Sequence, residues 1–139
     1  MSLSWIAETP PRWDAEKQRI VGGAPEGSLK IETFADGDSI PGDWWRVEQD
    51  GKAVGYGWMD TTWNGAEILL AVSPDAEGAG VGSFILDQLD AATAEKRLNY
   101  MFNVVQATHP QREAVTRWLE ARGFQGSDDG QLKRHVKRT

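Results

Sequence analysis

Three glycines alternate with small residues in Glu77-Gly78-Ala79-Gly80-Val81-Gly82-Ser83. They stand between a strand-like run, Ile68-Leu69-Leu70-Ala71-Val72, and an amphipathic helical pattern. A strand, a glycine turn and a helix N-terminus in that order make an anion site. Backbone N–H groups point outward, the helix dipole favours negative charge, and glycine lets a phosphate approach closely. The spacing narrows the ligand. A Walker loop needs a lysine after its last glycine, and none stands here. A dinucleotide fingerprint needs its third glycine one residue later than Gly82.

A second set of residues is suited to acting on amines. Glu67 lies in the strand before the glycine turn and is a candidate general base; its alternative is an ordinary cross-strand charge pair. Asp60, beside Thr61 and Thr62, is suited to holding a cationic substrate. Trp44, Trp45, Trp58 and Trp63 are four of seven tryptophans. Such rings either wall a pocket for a cation or serve plain packing or a dimer contact. Trp58 and Trp63 join Asp60 as candidate substrate contacts. Trp44 and Trp45 are adjacent, so in a strand they face opposite sides. His109 titrates near neutrality, and its alternative is an exposed neighbour of a helix cap. Tyr56 and Tyr100 are the only tyrosines, and Tyr56 reads as structural.

The elements that must position these residues follow from pattern. Trp5-Ile6-Ala7 reads as a short strand, residues 13–21 as a short helix, and Leu29–Phe34 as an alternating strand. Asp36–Asp43 is a loop by composition. The run around Trp45-Arg46-Val47 leads to Asp50-Gly51, a strong hairpin signal. Ala53–Met59 is the partner strand, and Asn64-Gly65 is a second turn into Ala66–Val72. After the glycine turn, Val81, Phe84, Ile85, Leu89 and Ala92 recur at helical spacing, with Asp87, Asp90 and Glu95 on the polar side. Tyr100–Val105 is a β-rich run. Thr108, Pro110 and Gln111 form a helix-start signature. Ala114, Val115, Trp118 and Leu119 are the stripe of that last helix, and Gly123 suits its left-handed exit. Gln131–Val136 reads as a final strand after an Asp128-Asp129-Gly130 turn.

Composition sets limits. The 139 residues suit one domain, and 40% are hydrophobic. No apolar run is long enough to span a bilayer, and the N-terminus lacks the order of a signal peptide. Cysteine is absent, which excludes thiolate chemistry and fits a cytoplasmic protein. No metal site is expected. The formal net charge of -6 works against nucleic-acid binding and suits a cationic or neutral substrate. The basic stretch Lys133–Arg138 reads as a solvated terminus.

Residues 77–82 resemble the coenzyme A pyrophosphate loop of the GNAT superfamily of N-acetyltransferases, with its Gln/Arg-x-x-Gly-x-Gly/Ala pattern. Leu70-Ala71-Val72-Ser73-Pro74 is similar to the end of that family's fourth strand. The helix over 80–96, the strand over 100–105 and the helix over 110–124 with its Arg122-Gly123-Phe124 exit follow in the family's order. The resemblance covers about 44–136. It implies an α+β GNAT fold, a mixed and mostly antiparallel sheet flanked by helices, with an abbreviated N-terminal helical region.

The resemblance also implies acetyl-CoA as cosubstrate and a small-molecule or peptide amine as acceptor. The fourth and fifth strands would splay. The pantetheine arm would pair with the backbone of Leu70, Ala71 and Val72. The pyrophosphate would rest on Gly78, Ala79, Gly80, Val81, Gly82 and Ser83. Three positions depart from the family. Glu77 replaces Gln or Arg. Arg112 replaces a cofactor-binding Asn and is a candidate phosphate contact. Leu119 replaces the Tyr that protonates the departing thiolate. Histone-acetylating members carry a basic Glu one residue farther from the loop than Glu67. A degenerate acyl-CoA-binding domain without turnover is the alternative, and a tRNA-acetylating toxin-like domain is disfavoured by charge. An exposed tryptophan patch would favour a homodimer.

Overall fold

The computed structural model describes residues 3–21, 34–104, 112–126 and 131–136. The elements are β1 (Leu3–Ala7), α1 (Ala15–Ile20), β2 (Asp43–Gln49), β3 (Lys52–Thr62), β4 (Gly65–Val72), a 3-10 turn (Pro74–Ala76), α2 (Val81–Glu95), β5 (Tyr100–Val104), α3 (Arg112–Glu120), β6 (Gln125–Gly126) and β7 (Gln131–His135). Most of the expected strand over 29–34, the Thr108–Gln111 cap with His109, and the 128–130 turn lie outside the described residues.

The seven strands form one sheet in the order β1-β2-β3-β4-β5-β7-β6. Only β4 and β5 run parallel; every other neighbouring pair is antiparallel. This is the expected α+β arrangement. The β2–β3 hairpin turns at Asp50 and Gly51, both at positive φ (54° and 78°), the geometry that matches strand twist. The next hairpin differs from expectation by one residue. Its loop is Trp63-Asn64, with Thr62 paired to Gly65 and Asn64 at φ 67°. Gly65 already belongs to β4, where a Cβ would come within 2.6 Å of the Tyr100 ring.

Strand alternation gives the sheet two apolar faces. On one, α2 lays Val81, Ile85, Leu86 and Leu89 against Val47, Met59, Ala66, Ile68 and Met101. Burying each large aliphatic there contributes about 1.5–3 kcal/mol. Gly57 lets the helix close in, since a Cβ there would meet Ile85 at 3.0 Å and Trp5 at 2.7 Å. On the other face Trp13, Ile20 and Val21 cover Trp44, Ala53 and Tyr56. Helix α1 starts at Asp14, whose carboxylate accepts the Lys17 N–H at 2.8 Å. The adjacent tryptophans divide as alternation requires: Trp44 joins this second cluster, while Trp45 stacks on Trp5 at 5.2 Å beside the first.

Two expectations are corrected. Asp90 is not on a solvated face of α2; it is buried and accepts from Arg134 Nη2 at 2.6 Å. The basic stretch is not solvated throughout: Lys133 and His135 are exposed, but Arg134 turns inward, and all three belong to β7, the expected final strand, hydrogen-bonded between β5 and β6. Arg134 satisfies Asp90 across 44 residues of chain, a distance that helical periodicity does not reach. Among the described residues, no helix is long and apolar enough to cross a membrane.

Candidate active site

The parallel ladder between β4 and β5 is short. It pairs Gly65 with Tyr100, Ala66 with Met101 and Glu67 with Phe102, then ends. Strand β4 continues to Val72 and β5 to Val104, so the two part beyond Glu67. Asn103 stands at the fork, its Nδ2 donating to the Ile68 carbonyl at 2.7 Å. That bond fixes parity along β4. Ile68, Leu70 and Val72 present their peptide groups to the opening, and Leu69 and Ala71 present theirs to β3. The Ser73 N–H, one residue on, donates to Val54 of β3 at 2.8 Å, as the parity requires. Of the three residues expected to pair with a cosubstrate arm, Leu70 and Val72 face the fork and Ala71 does not.

The chain leaves β4 through a firm anchor. Ser73 is fully buried; its Oγ accepts from Arg19 Nη1 at 3.0 Å and donates to the Asp75 carboxylate. That donation, with Lys52 Nζ at 3.2 Å, holds the Asp75 carboxyl below its usual range. Gly78 and Gly80 then take φ of 80° and 83°, a region costly for any residue with a Cβ. A Cβ at either position would meet nothing within 4 Å, so the space in front is open. The first backbone bond of α2 runs from the Phe84 N–H to Gly80 at 3.0 Å. The N–H groups of Gly80, Val81, Gly82 and Ser83 have no backbone acceptor among the described residues. Four donors converge at the positive end of a 15-residue helix. Glu77 is exposed beside this turn.

Helix α3 closes one side. A Cβ on Gly82 would lie 3.3 Å from the Trp118 ring and 4.0 Å from Val72. Arg122, just past α3, stacks on Trp118 at 3.8 Å and donates to Ser83 Oγ at 2.9 Å. Sequence reasoning singled out neither Trp118 nor Arg122 for the site. The Arg122–Ser83 bond joins residues 39 apart, and no local pattern carries it. Arg112, which was expected to serve here, is an exposed first residue of α3. Leu119 is buried in the core with Phe124 and Leu132.

The face away from α2 carries the remaining candidates. Glu67 is half-buried at the last paired position before the fork, directly opposite Asp60 of β3 and Phe102 of β5. Asp60 is exposed. Trp44 and Trp58 face each other across β2 and β3, and both indole N–H groups donate to Pro41, at 3.0 and 3.1 Å. With Val21, Tyr56 and residues 69–71 they line a small pocket against the forked stretch of β4. Trp63 is not with them; it sits at the hairpin tip, 92% exposed. Among the described residues the Tyr56 hydroxyl is buried without a hydrogen-bond partner. Burial, and then the Asp14 and Glu8 carboxylates, push its pKa up, so it stays protonated. Lys17 lies buried over the Tyr56 ring at 5.1 Å, paired with Glu8 at 2.5 Å.

A forked parallel strand pair, free peptide edges and a donor-lined glycine turn together fit a long, narrow ligand with an anionic end. Residues 41–126 match the model of the acetyltransferase (GNAT) domain, more than half of the chain. Solved structures are similar in fold. The N-acetylglutamate synthase of Neisseria gonorrhoeae, complexed with coenzyme A and N-acetyl-glutamate, superimposes with a TM-score of 0.73 at 19% identity, over 99% of this chain and 36% of that one. The ribosomal-protein-S18-alanine N-acetyltransferase of Escherichia coli gives 0.61 at 14% identity, over 99% and 96%. The PaiA N-acetyltransferase of Thermoplasma acidophilum, in complex with coenzyme A, gives 0.59 at 18%, over 66% and 59%. No curated protein matches the chain in sequence.

Proposed function

The chain belongs to the GNAT acetyltransferase family, and from that premise we propose that it moves an acetyl group from acetyl-CoA to a primary amine of a small molecule or peptide. The observation that carries the proposal is the fork of β4 and β5 beside the donor-lined turn at Gly78–Ser83. Residues that fit the cosubstrate are Leu70 and Val72 for an amide-bearing arm and Gly80–Ser83 for a pyrophosphate. Acetyl-CoA supplies a thioester whose carbonyl carbon is attacked directly by the acceptor nitrogen as the carbon–sulfur bond breaks.

The chain's own residues have three tasks. Peptide N–H groups at the open edge of β4 polarise the thioester carbonyl. Glu67 takes a proton from the acceptor ammonium, whose pKa is near ~10.4 for a lysine-like amine. Asp60, opposite Glu67, and Trp58, on the same face, hold a cationic acceptor. Trp63 belongs to the acceptor side only for a substrate long enough to reach the hairpin tip. Arg112 is left as a contact for an outer phosphate.

After attack the nitrogen gives up its second proton to solvent, and the thiolate draws its proton from solvent, because Leu119 offers none and the Tyr56 hydroxyl is enclosed. A thiol pKa near ~8.5 makes that step undemanding. Amine-dependent thiol release tests the proposal: a saturable signal with one class of amine is expected. A second reading, acyl-CoA binding without turnover, is favoured by the burial of apolar Leu119 where a proton donor is usual. Binding without thiol release across a broad amine panel would select it.

A further inference from the structure

We infer that Arg122 is a pyrophosphate-binding residue of the cosubstrate site, supplying from the end of α3 the positive charge that the glycine turn lacks. This rests on the acetyl-CoA reading above. The guanidinium is tethered at three points: Nη2 donates to Ser83 Oγ at 2.9 Å, Nη1 donates to the Trp118 carbonyl at 3.1 Å, and its Cζ lies 3.8 Å from the centre of the Trp118 ring. Ser83 also carries one of the free N–H groups at the start of α2. The cation therefore stands one hydrogen bond from the turn's donors.

This placement is unfavourable by itself. A helix N-terminus carries about half a positive charge and repels a cation. No carboxylate compensates, since none pairs with Arg122 among the described residues. Glu77, the nearest acidic residue of the turn in sequence, is exposed and makes no ion pair with Arg122 among the described residues. A guanidinium offers five N–H donors, and two are engaged among the described residues. The rest lie in the guanidinium's own plane, which the Trp118 ring and the two bonds hold in place. An anion shared between the helix N–H groups and this guanidinium removes the repulsion and turns both into charge-assisted partners. The pyrophosphate is the anion that reaches Ser83 when the arm lies along Leu70 and Val72. Trp118 is the positioning residue that keeps the guanidinium planar to the site.

The test is titration of coenzyme A and of dephospho-coenzyme A, which lacks only the 3′-phosphate, into the wild type, Arg122→Gln and Arg122→Lys. Arg122→Gln is expected to raise both Kd values about tenfold or more, and to flatten the dependence of log Kd on log salt. Arg122→Lys, which keeps the charge, is expected to lose less. Melting without ligand shows whether each variant is folded, and the Lys variant carries the test if the Gln variant is not. Unchanged Kd values in a folded Gln variant overturn the assignment. A loss for coenzyme A alone also overturns it, placing the guanidinium on the 3′-phosphate. A wild type that binds neither ligand refutes instead the cosubstrate reading itself.

Discussion

At the scale of single residues, burial separates the group proposed as the base from the tyrosine set aside. Tyr56 is the tyrosine nearest the small pocket, yet its hydroxyl is enclosed and unbonded. Removing a buried unpaired hydroxyl relieves a desolvation cost. Tyr56→Phe is therefore expected to keep full activity and to unfold at the same or a higher denaturant concentration; a clear loss of kcat would give Tyr56 a role denied here. Its raised pKa has a sign. The folded chain holds the phenolic proton above pH ~10, where the unfolded chain releases it, so Tyr56 makes stability fall as pH rises past ~10. The wild type minus Tyr56→Phe difference in alkaline absorbance should appear only on unfolding. Glu67 is placed at the edge of the fork instead. Glu67→Gln is expected to lower kcat/KM for the amine by about a hundredfold or more, with acetyl-CoA affinity unchanged. Equal activity would leave Glu67 without a catalytic role, opposite a like-charged Asp60 that offers it no ion pair.

At the scale of elements, what positions the site is the early end of one ladder and the anchor after it. The hairpin β2–β3 was legible because Asp50-Gly51 demands its turn chemistry locally, and α2 because its apolar residues recur at helical spacing. The glycine turn was legible for the same reason: positive φ at Gly78 and Gly80 leaves few other residues eligible. The burial of Asp90, its pairing with Arg134 and the approach of Arg122 to Ser83 were not legible. Each is made by a side chain meeting another from a distant part of the chain. The fork was expected by family resemblance, whereas Asn103 as the residue at its vertex comes from the structure. The Ser73–Asp75 anchor makes a pH prediction. Asp75 is held below its usual pKa, so its contribution is present above pH ~4 and is lost as pH falls through the lowered value. Asp75→Asn is expected to weaken acetyl-CoA binding at neutral pH, with the difference from wild type shrinking in acid. A pH-independent difference would show that the carboxylate's charge is not what anchors the turn.

At the scale of the whole molecule, two apolar clusters share one sheet, and the site lies where that sheet opens. Helix α2 contributes to the first cluster and to the anion turn, so core and site are coupled through a single element. We propose that residues 1–139 act as one domain. Heating should then give one cooperative transition with matching calorimetric and van't Hoff enthalpies, raised by coenzyme A through mass action; two separate transitions would divide the clusters. The net charge of -6 leaves the positive end of α2, with Arg122 beside it, as a local exception suited to an anionic ligand. The most direct test of this account is calorimetric titration of acetyl-CoA into the wild type and a folded Gly80→Trp variant, whose indole would fill the open space before the turn. The account predicts a Kd on the order of micromolar for the wild type, weakened at least about a hundredfold by the substitution. Absence of binding to the folded wild type at about millimolar ligand, or equal affinity in the two proteins, would contradict it.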